Sequence, residues 1–102
     1  MARSRRSKGL KDKAYLAFIG SLACLCCKRW DTPQVTRTEV AHVGERGLSQ
    51  KCSDRETIPL CGCHHRTGNT SHHRLGKLFW EHHKLDRDSI IAALNQEYER
   101  NA

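Results

Sequence analysis

Two short groups of metal-ligating residues limit the folds available to this 102-residue chain. Cys24 and Cys27 form one group, and Cys61 and His64 form the other, with two residues between the members of each pair. That spacing lets a tight turn direct both side chains at one tetrahedral zinc ion. Because the two groups lie far apart in the sequence, shared coordination would close the region between them and stabilise a chain that is too short for a large core.

The spacing alone leaves other ligand sets open. Cys26 can replace Cys24, and Cys63 can replace His64. Cys52 lies outside the preferred set as well. Because six cysteines are an even number, a disulfide framework in a secreted protein is a further alternative. By itself, a zinc site of this kind indicates only a structural metal, as in many binding modules.

The N-terminal segment has the outline of a secretory signal but fits that role poorly. Residues 1–13 are basic and residues 14–25 are largely apolar, yet Asp12 lies beside the apolar stretch and Gly20 interrupts it. No segment approaches the length of a membrane-spanning helix. We therefore expect a cytoplasmic protein without a membrane partner. In a reducing cytosol, paired cysteines are expected to bind metal rather than to form disulfides.

The charge of the chain favours a polyanionic partner. Eighteen Lys and Arg against eleven Asp and Glu give a formal charge of +7, and we expect the partner to be DNA. Five of these cations lie within residues 1–12, which we interpret as a flexible basic arm that can follow a phosphate backbone. A merely solvated tail is the alternative. Seven histidines follow between residues 42 and 83, the part of the chain that also contains Cys52, Cys61 and Cys63, and this co-location indicates metal.

Hydrophobic patterning predicts a series of short helices and strands. Apolar residues recur at helical spacing after the basic arm and near the C-terminus, whereas the middle of the chain alternates β-branched and polar residues. Pro59 restricts the second strand to a sheet edge, and Asp86 or Asp88 caps the last helix. The predicted elements are a helix over 13–23, a strand over 35–43, a strand or extended turn over 57–60, a helix beginning around 61–65, helical spacing at Leu75, Leu78 and Phe79, and a helix over 88–100.

The middle of the chain also carries a recognisable motif. His42 ends the first predicted strand, and Leu-Cys-Gly-Cys-His-His at 60–65 opens the next helix. This arrangement resembles the HNH, or His-Me finger, nucleases, in which a strand ends in a general-base histidine and a Leu-Cys-x-x-Cys/His-His motif opens a metal-binding helix. The stretch over 39–74, with Asp-Arg-Glu-Thr-Ile-Pro-Leu-Cys at 54–61, is similar to small phage and prophage HNH proteins related to the recombination-enhancing nuclease Ref. The resemblance covers residues 22–85.

The resemblance implies an α+β fold. The expected domain is a small zinc-knuckle ββα-metal (HNH) domain with an N-terminal helix and a C-terminal helical extension. We place the basic flexible arm at 1–12, the HNH nuclease-like domain at 13–85 and the C-terminal helix at 86–102.

His42 is the candidate general base. Hydrolysis of a phosphodiester requires a base that is neutral near pH 7, and histidine has the ordinary pKa that suits this task. The central asparagine of the family motif is missing. Asp54 matches the narrower phage pattern, whereas counting back from Cys61, as in common HNH proteins, leads to Glu56. Either residue can orient His42 or bind metal, and we prefer Asp54.

The resemblance also implies a second, catalytic cation, Mg²⁺ or another divalent ion. Such an ion binds a phosphate oxygen and the departing 3′ oxygen, and cleavage leaves a 5′ phosphate. His65 is the first candidate ligand, and His73 is either a second ligand or a phosphate contact. Many HNH proteins have Asp or His directly before the base, where this chain has Ala41. Glu39, which lies on the same strand face as Ala41, can take over that position.

The predicted function is that of a metal-dependent DNA endonuclease or nickase, with a recombination or phage protein as a further candidate partner. The alternative is a non-catalytic zinc module that binds nucleic acid, because Ala41 removes an expected ligand. We interpret His82 and His83 as surface or packing residues and His72 as solvent-facing. The candidate phosphate contacts are Arg46, Lys51, Arg55, Arg66, Arg74 and Lys77.

Overall fold

The computed structural model describes residues 12–44 and 53–101. The fold is α+β, as predicted, and combines a two-stranded sheet with short helices. The predicted basic arm lies outside the described residues, apart from Asp12. None of the helices within these two ranges is both long and apolar enough to cross a membrane. In chain order the elements are α1 (Lys13–Gly20), α2 (Leu25–Arg29), β1 (Thr38–His42), β2 (Thr57–Cys61), a π-helical turn (Cys63–Thr67), α3 (His72–Leu75), α4 (Leu78–His83) and α5 (Arg87–Asn101).

The sheet is an antiparallel pair in which Thr38 of β1 lies opposite Cys61 of β2. Every residue of β2 is buried, because α1, α2 and α5 all pack against this strand. Pro59 is tolerated since each strand has only one neighbour in the described sheet. The first strand begins at Thr38 rather than at residue 35, because the side chain of Val35 is exposed and has no core to pack against.

The predicted helix over 13–23 ends earlier than expected, and a second helix follows it. Asp12 caps α1, since its carboxylate accepts a hydrogen bond from the amide of Tyr15 at 3.1 Å. The helix ends at Gly20, and a short turn leads to Cys24. The sulphur of Cys24 accepts a hydrogen bond from the amide of Cys27 and so caps α2. The first cysteine pair therefore lies in the first turn of α2.

The three apolar residues predicted at helical spacing lie in two different helices. Leu75 ends α3, whereas Leu78 and Phe79 begin α4. Gly76 has a φ of +58° and a ψ of −129°, a conformation that side-chain-bearing residues rarely adopt, and it ends α3. As a result, Phe79 is fully buried whereas Leu78 is exposed. The predicted helical spacing of these three residues therefore corresponds to two short helices, because Gly76 separates them.

The core lies between α1, β2 and the C-terminal helices. α5 starts after Asp86, whose carboxylate accepts a hydrogen bond from the amide of Ser89 at 3.3 Å, so one of the two predicted caps is confirmed. Leu94 is buried, and the other predicted apolar residues of α5 pack against the core from its margin. Apart from cysteines, the buried apolar residues of the described ranges are Tyr15, Ile19, Ala41, Val43, Ile58, Leu60, Phe79 and Leu94.

Candidate metal centre and histidine groups

Cys24, Cys27, Cys61 and His64 lie close together, with their ligand atoms all within 4.8 Å of one another. The Nδ1 atom of His64 is 3.6, 3.7 and 3.4 Å from the sulphur atoms of Cys24, Cys27 and Cys61, respectively. The sulphurs of Cys27 and Cys61 are 3.9 Å apart. Ideal tetrahedral zinc gives sulphur–nitrogen edges of about 3.5 Å and sulphur–sulphur edges of about 3.8 Å. The four side chains can therefore hold a metal ion, consistent with structural zinc.

The structure also distinguishes between the ligand sets that the spacing left open. Cys63 is exposed, and Cys26 is buried but lies outside the group of four. Cys52 lies outside the described residues. The five cysteines within the described ranges are free rather than disulfide-bonded. The group that the fold assembles thus contains Cys24 and His64 rather than their alternatives.

Local backbone structure positions these ligands. The amide of Cys24 donates to the side-chain oxygen of Gln34 at 2.8 Å, which fixes the chain just before α2. Cys61 ends β2, and the amide of Gly62 donates to the hydroxyl of Thr36 at 2.9 Å before the π-helical turn begins. Gln34 and Thr36 were not predicted, because nothing in their local sequence distinguishes them from other polar loop residues.

The thiols of the metal centre influence one another. A hydrogen bond from the side chain of Cys26 lowers the pKa of the Cys24 thiol to about 4. The same hydrogen bond, together with burial, raises the pKa of Cys26 above its usual range, so Cys26 remains a neutral donor. Burial, and then the hydrogen bond with Cys24, raises the pKa of Cys27 to about 12. The surroundings thus favour the thiolate of Cys24 and disfavour ionisation of Cys27 beside it. A bound cation would offset the repulsion between the two thiolates.

His83 packs against the ring of His64, with the ring centroids 5.6 Å apart. Its Nδ1 accepts from the indole N–H of Trp30 at 2.8 Å, and its Nε2 donates to the carbonyl of Thr70 at 2.8 Å. These partners permit only the neutral Nε2–H tautomer. The ring is buried, and burial lowers its pKa. His83 is therefore a packing residue, but its contact with Trp30 could not be predicted because the two are distant in sequence.

A second feature is the pair formed by His42 and Asp54 at the C-terminal end of β1. Nε2 of His42 lies 3.0 Å from Oδ1 of Asp54 and donates to it, since an ionised carboxylate only accepts. The side chain of His42 is 43% exposed and that of Asp54 is 13% exposed. The second oxygen of Asp54 accepts from the backbone amide of Asp12 at 2.7 Å. The other candidate, Glu56, lies against Gly44 instead.

A third feature surrounds Glu39, near the start of β1. Oε1 accepts from Nδ1 of His65 and from Nε of Arg66, both at 2.8 Å, while Oε2 accepts from Nη2 of Arg66 at 2.7 Å. Hydrogen bonds from Arg66 and then from His65 lower the pKa of Glu39 to about 2. The ring of His73 lies 4.8 Å from that of His65. The three predicted ligands of a catalytic ion are thus neighbours, but Arg66 contacts both oxygens of Glu39.

The His42–Asp54 pair and the Glu39 group are displaced along β1. Glu39 lies opposite Leu60 and His42 lies opposite Thr57, so the two groups are near opposite ends of the strand. Because the two residues are three positions apart, their side chains also project from opposite strand faces. The joint action of both groups on one phosphate, which the resemblance implies, stays a prediction.

The other predicted residues differ in their surroundings. His72 is half-buried and packs on Phe79 and Trp80 rather than facing solvent, and burial lowers its pKa. The side chain of Arg66 is 50% exposed and that of Arg55 only 29% exposed, which leaves Arg55 less accessible to a ligand. Of the candidate phosphate contacts, Arg46 and Lys51 lie outside the described residues, Arg74 and Lys77 are exposed, and Arg55 and Arg66 form ion pairs within the chain.

No protein-family model, curated protein or solved structure matches this chain. The resemblance to HNH nucleases therefore rests on the motifs alone. What the fold itself shows is a small α+β chain with a Cys/His group that can hold a metal ion.

Proposed function

We propose that this protein is a metal-dependent DNA endonuclease or nickase of the HNH type. The observation that carries this proposal is the hydrogen bond between His42 and Asp54. A largely buried acid that orients a half-exposed imidazole is an arrangement suited to general-base catalysis. A structural zinc held by the four-ligand group would fix the Cys61 end of β2 against α2, and β2 pairs with the strand that carries His42.

The chemistry assigned to His42 follows from its tautomer. Because Nε2 carries the proton that is donated to Asp54, Nδ1 is the basic nitrogen of a neutral ring. Nδ1 would take the proton from the water that attacks the phosphorus atom. Asp54 would fix the direction of the ring and stabilise the imidazolium that forms. The bond that breaks would be the phosphodiester bond to the 3′ oxygen, leaving a 5′ phosphate.

The proposed catalytic cation would be held by Glu39, His65 and His73. These residues offer carboxylate oxygen and imidazole nitrogen, which are suitable donors for divalent transition metals, and a carboxylate also suits Mg²⁺. When bound, such an ion would neutralise the charge that grows on the phosphate and the leaving oxygen. Since Nδ1 of His65 bonds Glu39, its Nε2 is the atom left to contact the ion.

Exposed cations beyond these groups would bind the DNA backbone. Arg74 is the chain neighbour of His73 in α3, and Lys77 lies between α3 and α4. Their contacts would be with phosphate oxygens and would not depend on the base sequence. The formal charge of +7 adds a general attraction to any polyanion.

A second candidate function is a zinc-stabilised module that binds nucleic acid without cleaving it. The observation that favours it is the two-point contact of Arg66 with the carboxylate of Glu39, which occupies both oxygens that a cation would use. Ala41 also leaves one expected ligand position without a donor. The two candidate functions share the zinc centre and the DNA, and they differ only in the chemical step.

The test is a plasmid-nicking assay with Mg²⁺, Mn²⁺ or Ni²⁺. His42→Ala should lower the nicking rate by about 100-fold or more, the usual contribution of a general base, while zinc content and DNA affinity stay at the wild-type level. His82→Ala is the matched control, because His82 is an exposed histidine outside both groups, and it should nick like wild type. Equal nicking by wild type and His42→Ala would remove His42 from the mechanism. DNA binding without nicking by wild type would favour the second candidate.

A further inference from the structure

The guanidinium of Arg55 packs on two neighbouring aromatic rings. It is 4.7 Å from the ring centroid of Tyr15 in α1 and 5.1 Å from that of Tyr98 in α5. The two tyrosine rings meet edge to face, with their centroids 5.1 Å apart. A cation over the faces of two aromatic rings is attracted by both, and the attraction is greater where water is excluded. This packing holds the position of Arg55 to within a narrow range.

The donors of the same guanidinium bind three acceptors on two elements. Nε donates to the carboxylate of Asp12 at 3.1 Å. Nη1 donates to Glu99 at 2.9 Å and to the side-chain oxygen of Asn95 at 3.2 Å. The side-chain nitrogen of Asn95 in turn donates to the backbone carbonyl of Arg55 at 3.1 Å. Arg55 thereby links the start of α1 to the middle of α5.

A short path of hydrogen bonds leads from Arg55 to His42. Arg55 holds the carboxylate of Asp12, and the backbone amide of Asp12 donates to Oδ2 of Asp54 at 2.7 Å. Oδ1 of Asp54 accepts the proton of Nε2 of His42. Asp54 is also the chain neighbour of Arg55, so both the side chain and the backbone of Arg55 act on its placement.

We propose that Arg55 is a positioning residue: it fixes Asp12 and Asp54 against α5 and so holds the imidazole of His42 in the Nε2–H tautomer. The C-terminal helix α5 then helps to position His42, because its residues Tyr98, Asn95 and Glu99 contact Arg55. Its effect on reaction rate rests on the function proposed above. Its effect on the tautomer of His42 does not.

The first test is the conservative variant Arg55→Lys. A lysine keeps the charge but has a single ammonium group, which cannot stack on the tyrosine rings as a planar guanidinium does and also reach both Asp12 and Glu99. We expect the ¹⁵N NMR spectrum of the His42 ring, recorded above the pH range of its titration, to change from one tautomer to a mixture. We also expect kcat for nicking to fall by about 10- to 100-fold with little change in KM, since misplacement of a base acts on the chemical step.

The second test uses two glutamates of α5. Glu99→Gln removes the charged acceptor of Arg55, whereas Glu97→Gln changes the same helix away from this network. Glu99 is an exposed side chain, so this variant should keep the wild-type zinc content and melting temperature. The ¹⁵N spectrum of His42 should change in Glu99→Gln and should not change in Glu97→Gln.

Wild-type His42 spectra in both Arg55→Lys and Glu99→Gln would overturn the proposal. If wild-type protein does not nick DNA at all, the nuclease assignment fails, but the NMR comparison still decides whether Arg55 positions His42. If nicking depends on His42 while the Arg55→Lys spectrum and kcat stay at wild-type values, the nuclease assignment stands and the positioning role is wrong.

Discussion

The candidate metal centre includes one of two neighbouring cysteines and leaves out the other. Cys61 and Cys63 are separated by one residue, yet only Cys61 brings its sulphur to 3.4 Å from Nδ1 of His64. Cys63 lies on the outer side of the π-helical turn and is exposed. The two residues are therefore a matched pair for testing the ligand assignment.

Cys61→Ser should abolish zinc binding and cooperative unfolding, and Cys63→Ser should preserve both. A structural zinc in a small domain contributes on the order of 10 kcal/mol of binding free energy, which this core is too small to replace. Metal content by mass spectrometry and thermal melting by circular dichroism measure the two effects. A Cys61→Ser protein with full zinc content and an unchanged melting curve would contradict the assignment.

Tyr15 predicts a loss of stability at alkaline pH. Burial raises the pKa of its phenol from the ordinary value of 10.0 to about 12. In the unfolded chain the phenol ionises near its ordinary pKa, while in the folded chain it stays neutral, so the stability that it contributes is present below pH 10 and is lost as pH rises to about 12. Urea unfolding should show a fall in the free energy of unfolding across this range.

Tyr15→Phe should reduce the steepness of that fall, because phenylalanine keeps the packing and has no proton to lose. Between pH 7 and 9 the free energies of unfolding of the two proteins should run parallel, which serves as the control. An identical decline in both proteins above pH 10 would exclude Tyr15 as its source.

Site residues could be predicted from the sequence where they follow a regular local spacing. Contacts between residues that are distant in the sequence could not be predicted. The four residues that can hold a metal ion were predicted together because two ligand pairs with a regular interval are a local pattern. The spacing could not choose between Asp54 and Glu56 as the partner of His42, since the choice depends on how the chain before β2 turns. The hydrogen bond from Cys26 to Cys24 was missed for the same reason.

Among the elements, glycines mark where helices end. Gly20 is the last residue of α1, and Gly76 follows α3 with a φ of +58°. Periodicity extended the first helix past Gly20 to residue 23, and the helical spacing of Leu75, Leu78 and Phe79 gave no sign of the break at Gly76. The helix limits depend on local backbone geometry, and in α2 they depend on a cysteine sulphur that acts as the cap.

Gly76→Ala should destabilise the protein by about 1–3 kcal/mol, whereas Gly20→Ala should be neutral or slightly stabilising. An added Cβ at Gly76 would meet nothing within 4 Å, so the cost comes from the positive φ alone. At Gly20 the nearest atom is a methyl carbon of Val40 at 3.8 Å, an ordinary packing distance, and φ is not in the positive range. Denaturant unfolding of both variants measures the difference. Equal stability would show that Gly76 is not strained.

The strands were predicted within three residues of their limits, and the deviations have a clear cause. Alternation of β-branched and polar residues continues back to residue 35, but the chain before Thr38 has no partner strand and its side chains are exposed. Pairing with β2 therefore sets the limits of β1. The resemblance to a ββα-metal domain predicted the order of strand, strand and helical turn, but the helical turn is short and π-helical.

The molecule as a whole combines a small core with a large positive charge. Its buried apolar residues come from α1, β1, β2, α4 and α5, while the metal centre joins α2, β2 and the π-helical turn. Within the described ranges the cations are exposed apart from Arg55 and Arg87, which are partly buried, and the formal charge of +7 of the whole sequence acts on any polyanion. Binding to DNA is therefore expected to depend strongly on salt.

Arg74→Gln should weaken DNA binding and lower the salt dependence of affinity. For one lost phosphate contact, the slope of log K against log salt should decrease in magnitude by about 0.9. Fluorescence anisotropy with a labelled duplex at several salt concentrations gives both values. A weaker affinity with an unchanged slope would show that Arg74 does not contact a phosphate directly.

The hydrogen bond between Trp30 and His83 has a practical consequence. The indole donates to a ring that packs on His64, one of the four residues that can hold a metal ion, so metal binding there should alter the polarity around a natural fluorophore. With Trp80 replaced by phenylalanine, emission from Trp30 alone would report loading and release in real time. The protein thus carries an intrinsic optical probe and needs no attached dye.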